Sequence, residues 1–211
     1  MKKNEIKVAK TARYYTLNEN RNIDTILYVL HGYAQLASKF IEEFDYLKNT
    51  NVLVVAPEGL SLLYGKERTP VSSWMTSYDR ENEINDYINY LNSLDERIKQ
   101  KYPNSKIIKL GFSQGVSTLM RWVISCKNKQ LELHLCCGSI PPEIAKNDRF
   151  INKVKTLYYY YGKNDRLMKE DQFKLAIKKL NQLELNPSIT RFDGIHEIPA
   201  ICHGNIKTYL K

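Results

Sequence analysis

The sequence predicts an α/β fold, an open and mostly parallel central sheet with helices on both faces. Strand-length apolar runs recur along the chain, and most are apolar almost throughout, as strands buried on both faces must be. Between them lie segments whose apolar residues return with helical period, one stripe per segment. The 211 residues, 43% hydrophobic and 26% charged, have the balance of an ordinary globular chain and fit a single domain over residues 1–211.

In chain order, residues 13–17, with Tyr14 and Tyr15, read as an antiparallel edge strand, and Thr25–Leu30 as the first central strand. Leu36, Phe40, Phe44 and Leu47 mark a helix, and residues 52–56 the next strand. Residues 57–80 carry no period and read as the longest irregular segment. A helix follows on Ile84, Tyr87, Ile88, Leu91, Leu94 and Ile98, then the strand Lys106–Phe112, then a helix on Val116, Leu119, Met120 and Val123. Strands at 131–137 and 156–161 come next. A helix on Phe173, Ala176, Ile177 and Leu180, the strand Ser188–Phe192 and a short helix at 199–209 complete the chain. A parallel neighbour is reached only by a long return connection, so this alternation implies right-handed crossovers, with functional groups at the strands' carboxyl ends.

Composition narrows the function. The formal charge of +9 could mean nucleic acid, but the cations are dispersed, and Lys169, Lys174, Lys178 and Lys179 fall at solvent-facing helix positions, so no nucleic-acid partner is expected. No apolar run reaches the roughly 18 residues of a spanning helix, so no stable membrane insertion is expected. The polar, lysine-rich start lacks the apolar core of a signal peptide. Four cysteines, two of them adjacent in an apolar strand, read as reduced core thiols, and a cytoplasmic location is expected. Cys202-His203 lacks the partner spacing of a zinc site, and no metal is expected. No exposed apolar face is marked; monomer and dimer both fit.

The strongest signal is Gly111-Phe112-Ser113-Gln114-Gly115, placed where a strand ends and a helix begins. A sharp turn there holds the serine in a strained conformation with its hydroxyl outward, and the Gln114 amide at the helix start points at an oxyanion. The plain alternative is a loop serine capping the helix. A serine nucleophile needs a base, and the base an orienting carboxylate, which follow in the order acid, histidine. Asp165, in the turn after the strand at 156–161, is the favoured acid. Asp193 is its rival, whereas Asp171 suits a helix's first turn and Asp148 precedes its strand. Among four histidines, His196 lies in a glycine-containing loop after the last strand and is the favoured base. His134 reads as a core or edge residue, His203 as a surface residue and His31 as structural. The Tyr33 amide after the first central strand is the second oxyanion donor.

Together, His31-Gly32, the Gly-Phe-Ser-Gln-Gly run, the turn from Gly162 to Asp165 and His196 make the chain resemble the phospholipase/carboxylesterase family of α/β-hydrolases, which includes acyl-protein thioesterases. Pro57-Glu58-Gly59 and Trp74 resemble that family's loop after the second central strand. The resemblance implies cofactor-free cleavage of carboxylic esters or thioesters, with a small-molecule or acyl-ester substrate. The family's His-Gly-x-Gly-Asp stands here as His31-Gly32-Tyr33-Ala34-Gln35, its Trp-Phe-Asp as Trp74-Met75-Thr76, and its Gly-x-Gly-His as Asp193-Gly194-Ile195-His196. Residues 138–155 are too few for the helical lid of related folds, so no large cap domain and an open site are expected. In the 57–80 segment Trp74, Leu62 and Leu63, with Leu60 and Tyr64, either line an acyl pocket or pack beneath their loop. A non-catalytic hydrolase-like domain that binds a ligand or protein is the alternative function. Small esters, acylated proteins and lysophospholipids are not separated by the sequence as substrates.

Overall fold

The computed structural model describes residues 1–19, 22–145 and 147–210. Its strands are β1 (Tyr14–Leu17), β2 (Thr25–Leu30), β3 (Val52–Pro57), β4 (Ser61–Tyr64), β5 (Pro70–Ser73), β6 (Lys106–Phe112), β7 (Leu131–Cys136), β8 (Val154–Gly162) and β9 (Ser188–Phe192). Its helices are α1 (Ala37–Phe40), α2 (Arg80–Lys101), α3 (Gln114–Ser125), α4 (Asp148–Ile151), α5 (Glu170–Asn181) and α6 (Ala200–Tyr209). Seven strands form one sheet in the order β1-β3-β2-β6-β7-β8-β9. β1 runs antiparallel to β3, and every other pairing in this sheet is parallel. It is the open α/β-hydrolase arrangement, and the carboxyl ends of its six parallel strands share one edge.

Strand parity sorts the core into two layers. Ile26, Tyr28 and Leu30 of β2 and Leu53 and Val55 of β3 pack against α2, α3 and α5. Leu27 and Val29, with Val52, Val54 and Ala56, pack against α1 and α6. Each fully buried aliphatic side chain of this kind stabilises by about 1.5–3 kcal/mol. α2 supplies Ile84, Tyr87, Leu91, Leu94 and Ile98, one buried residue per turn or nearly so.

Two segments and one side chain differ from the sequence reading. The helix expected around residues 36–47 is α1 followed by a 3₁₀ turn over Ile41–Leu47, because apolar spacings of three and four suit both geometries. The segment at 57–80, expected to be irregular, contains the antiparallel hairpin of β4 and β5, with Ser61 opposite Ser73 and Tyr64 opposite Pro70. His203, expected at the surface, is half-buried against Tyr46 and Phe44. Among the described residues no helix is long and apolar enough to cross a membrane.

Candidate active site

Ser113 stands between β6 and α3 with φ 54° and ψ −117°, a conformation that holds roughly 1–3 kcal/mol of strain in a residue with a Cβ. Its hydroxyl makes no capping bond to α3, unlike an ordinary helix-start serine, and its N–H donates to Cys136 O at 2.9 Å. Gly115 lets the helix come this close to the sheet. A Cβ there would lie 2.2 Å from Leu30 O.

Asp165 occupies the turn that leaves β8. Its Oδ1 accepts the N–H groups of Leu167 at 2.8 Å and Met168 at 3.0 Å, and its Oδ2 receives His196 Nδ1 at 2.7 Å. The carboxylate is fully shielded and the imidazole 14% exposed, so this bond is held out of water. With Nδ1 committed to Asp165, Nε2 is the ring nitrogen left for a substrate or a serine. Phe112 packs against the ring, centroids 4.9 Å apart. Asp193 is exposed and its nearest polar partner is Asn164 Nδ2, at 3.5 Å.

The loop after β2 is fastened on every side. Gly32 N–H donates to Gln35 Oε1 at 2.7 Å and Ala34 N–H to Ser72 O at 3.0 Å, bracketing Tyr33. A Cβ on Gly32 would sit 3.0 Å from the Cβ of Ser113, so this loop lies directly beside the serine. His31 is wholly buried, and burial pushes its pKa down and keeps it neutral. Its Nε2 accepts Gly59 N–H at 3.0 Å, which puts the proton on Nδ1, facing Gly32 O at 2.7 Å. Glu58, also buried, accepts the Ala37 N–H at 2.7 Å and meets Arg13 Nε at 3.4 Å. The Gln114 side chain ties the elbow to β5: Oε1 accepts Trp74 N–H at 3.0 Å and Nε2 donates to Met75 O at 2.8 Å. Gln114 opens α3, so its own N–H belongs to the first turn, where amides lack an intrahelical acceptor.

Two cavities meet at Ser113 and His196. One, of about 480 Å³, has Phe40, Phe112 and Ile198 as apolar wall and also Tyr33, Gly32 and Glu43 in its lining. The other, of about 250 Å³, is more polar, with Gln114, Ser117, Ser139 and Gln172 around Cys137. Leu167, 76% exposed, borders both. Ser113, Asp165, His196, Tyr33 and Gln114 are thus gathered in one place. Trp74, Leu62 and Leu63 line neither cavity. Trp74 is 1% exposed, donates Nε1–H to His31 O at 2.8 Å and stacks on the His31 ring at 5.0 Å, so it packs beneath its loop. Leu62 and Leu63 sit on the hairpin, half of Leu62 exposed.

Leu167 and Cys137 escape the sequence reading. Leu167 carries a weak signal, two residues past the favoured acid. Cys137 carries none, because its position depends on a backbone φ of 51° at the end of β7. Its Sγ, a carboxylate oxygen of Asp165 and a ring nitrogen of His196 all lie within 4.8 Å of one another, the only such donor group among the described residues. Burial pushes the Cys137 thiol up to about 12, so it is neutral and a poor nucleophile.

No curated protein matches the chain. Its fold is similar to that of esterase PE8, with a TM-score of 0.73, 15% identity, and 95% of this chain and 98% of that one covered. It is similar to acyl-protein thioesterase 2 of Zea mays at a TM-score of 0.72 and 14% identity, over 95% and 98% of the two chains. It is similar to a Bacillus cereus carboxylesterase at 0.64 and 12%, over 94% and 92%. The family model described as serine hydrolase (FSH1) matches residues 23–203, which include the elbow, the turn after β8 and the loop of His196. The chain therefore belongs to the FSH1 serine hydrolase family, and its fold is that of the α/β-hydrolases its motifs resemble.

Proposed function

We propose that this serine hydrolase cleaves carboxylic ester or thioester bonds through an acyl-enzyme on Ser113, with His196 as base and Asp165 as its orienting acid. The observation that carries the reading is the 2.7 Å bond from His196 Nδ1 to a fully shielded Asp165, with His196 and Ser113 lining the same two cavities. Ser113 Oγ attacks the carbonyl as Nε2 of His196 takes its proton, and the tetrahedral oxyanion is held by the N–H groups of Tyr33 and Gln114. Each such donor accounts for about 100- to 1,000-fold in rate. The imidazolium, stabilised by Asp165, returns the proton to the leaving alcohol or thiol. Water then enters and attacks the acyl carbonyl as Nε2 takes its proton, the bond to Ser113 Oγ breaks to release the acid, and the imidazolium returns the proton to Oγ.

The larger cavity, with its aromatic and aliphatic wall, suits the acyl chain, and the smaller polar one suits the leaving group. A fluorophosphonate probe should label Ser113, and Ser113→Ala should lower nitrophenyl-ester hydrolysis by about 10,000-fold or more while the far-UV spectrum is kept. An unlabelled Ser113 in folded protein, or an active Ser113→Ala variant, refutes the assignment. Rates across an acyl-length series of oxygen esters and thioesters then fix the substrate class.

A further inference from the structure

The trio of Cys137, Asp165 and His196 offers three unlike donors, and thiolate, imidazole and carboxylate together are the ligand set of zinc. We propose that it is a binding site for a thiophilic divalent cation of the zinc class, whose occupation arrests hydrolysis. The arrest, though not the binding, rests on the function proposed above.

Geometry supports the site. Ligands at about 2.0–2.3 Å around a tetrahedral cation lie roughly 3.3–3.8 Å from one another, so donor atoms within 4.8 Å need only small adjustments. The donors stand on fixed backbone at neighbouring strand ends. Cys137 N–H bonds Tyr160 O at 2.9 Å, and Asp165 is held by the two amides at its Oδ1, which leaves Oδ2 for a cation. Two of the three ligand residues, Cys137 and His196, line the smaller cavity, which gives a cation a way to reach them.

Occupation has a defined chemical effect. The cation replaces the proton between His196 Nδ1 and Asp165 Oδ2, and the neutral ring then carries that proton on Nε2. The Cys137 thiol proton passes to solvent, one proton released per cation bound. An Nε2–H group donates and cannot accept the proton of Ser113, so no alkoxide forms. The thiolate and imidazole disfavour magnesium and calcium, which take oxygen ligands. The other sulfur-rich group, Cys202 with His134 and Cys136, lines neither cavity and serves as the control.

The test titrates the purified full chain with cobalt(II), whose thiolate complexes give a charge-transfer band in the near ultraviolet. One equivalent should develop the band, zinc should displace it and magnesium should not. Cys137→Ala should abolish it, and Cys202→Ala should keep it. Zinc should inhibit nitrophenyl-ester hydrolysis reversibly with chelator, and the inhibition constant, scaled to each variant's own uninhibited rate, should rise by about tenfold or more in Cys137→Ala. Cys137→Ser, a closer match in size and a weak ligand, is the second variant if the alanine form fails to fold. A missing band, a band lost only in Cys202→Ala, or zinc inhibition undiminished by replacing Cys137 overturns the inference. A cobalt band dependent on Cys137 in a chain that hydrolyses nothing refutes the proposed function and leaves the metal site standing.

Discussion

On the face covered by α2, α3 and α5 the sheet presents one cation among apolar side chains, and on the face covered by α1 and α6 it presents a connected polar group. Lys109, in the middle of β6, is wholly buried; its Nζ has no hydrogen-bond partner and lies 3.1 Å over the centroid of the Trp122 ring. Burial brings its pKa down to about 8, against a smaller upward pull from Cys126 and Asp95. Across the sheet, His134 Nε2 meets Glu132 at 2.8 Å, its Nδ1 meets Tyr160 Oη at 3.1 Å, and Asn205 Nδ2 donates to that same hydroxyl at 2.9 Å. Burial alone would lower the His134 pKa, but its bonds to Cys202 and Glu132 outweigh burial and the net shift is upward. Burial without partners makes an ionisable group hold its charge less tightly, whereas partners can reverse the direction of the shift.

The contrast is broken most severely at His134. His134→Leu leaves the Glu132 carboxylate buried without its imidazole and should lower stability by about 3–5 kcal/mol in urea unfolding. The double variant with Glu132→Leu should recover most of that loss, since an apolar pair leaves nothing unsatisfied. If the double variant is as unstable as the single, the network is not the reason.

Lys109→Met tests the other face with the opposite sign. The folded pKa of about 8 lies below the ordinary 10.5, so the unfolded chain binds this proton more tightly. The resulting destabilisation is complete below pH 8 and disappears as pH rises towards 10.5. The methionine variant should therefore gain about 3 kcal/mol at pH 7, and the gain should shrink with rising pH. A gain that does not change with pH would assign it to packing instead. The smallest effect belongs to Tyr160→Phe, which removes one hydroxyl from the network and should lower stability by about 1 kcal/mol.

The parallel strands are legible in the sequence because burial on both faces leaves each as an apolar run, and the elbow because its glycines flank a serine at a strand-to-helix junction. The pairing of Asp165 with His196 is legible through chain order and their place after strands. The hairpin of β4 and β5 is not, since it lies outside the main sheet and the burial along β4 shows neither a continuous run nor clean alternation. Trp74 illustrates the limit of composition. A large aromatic residue near a site suggests a pocket wall, but its indole N–H is taken by His31 O behind the loop. Cys137 and Leu167 owe their positions to turn geometry that no residue type announces.

One turn joins two roles that are chemically independent. Asp165 is steadied by the backbone amide of Leu167, whereas the Leu167 side chain stands outward on the ridge between the two cavities. Any residue except proline supplies that amide. The ridge can thus be raised, lowered or charged by changing a single side chain while the carboxylate below keeps its aim, so under the proposed function substrate shape is free to diverge here without touching the chemistry.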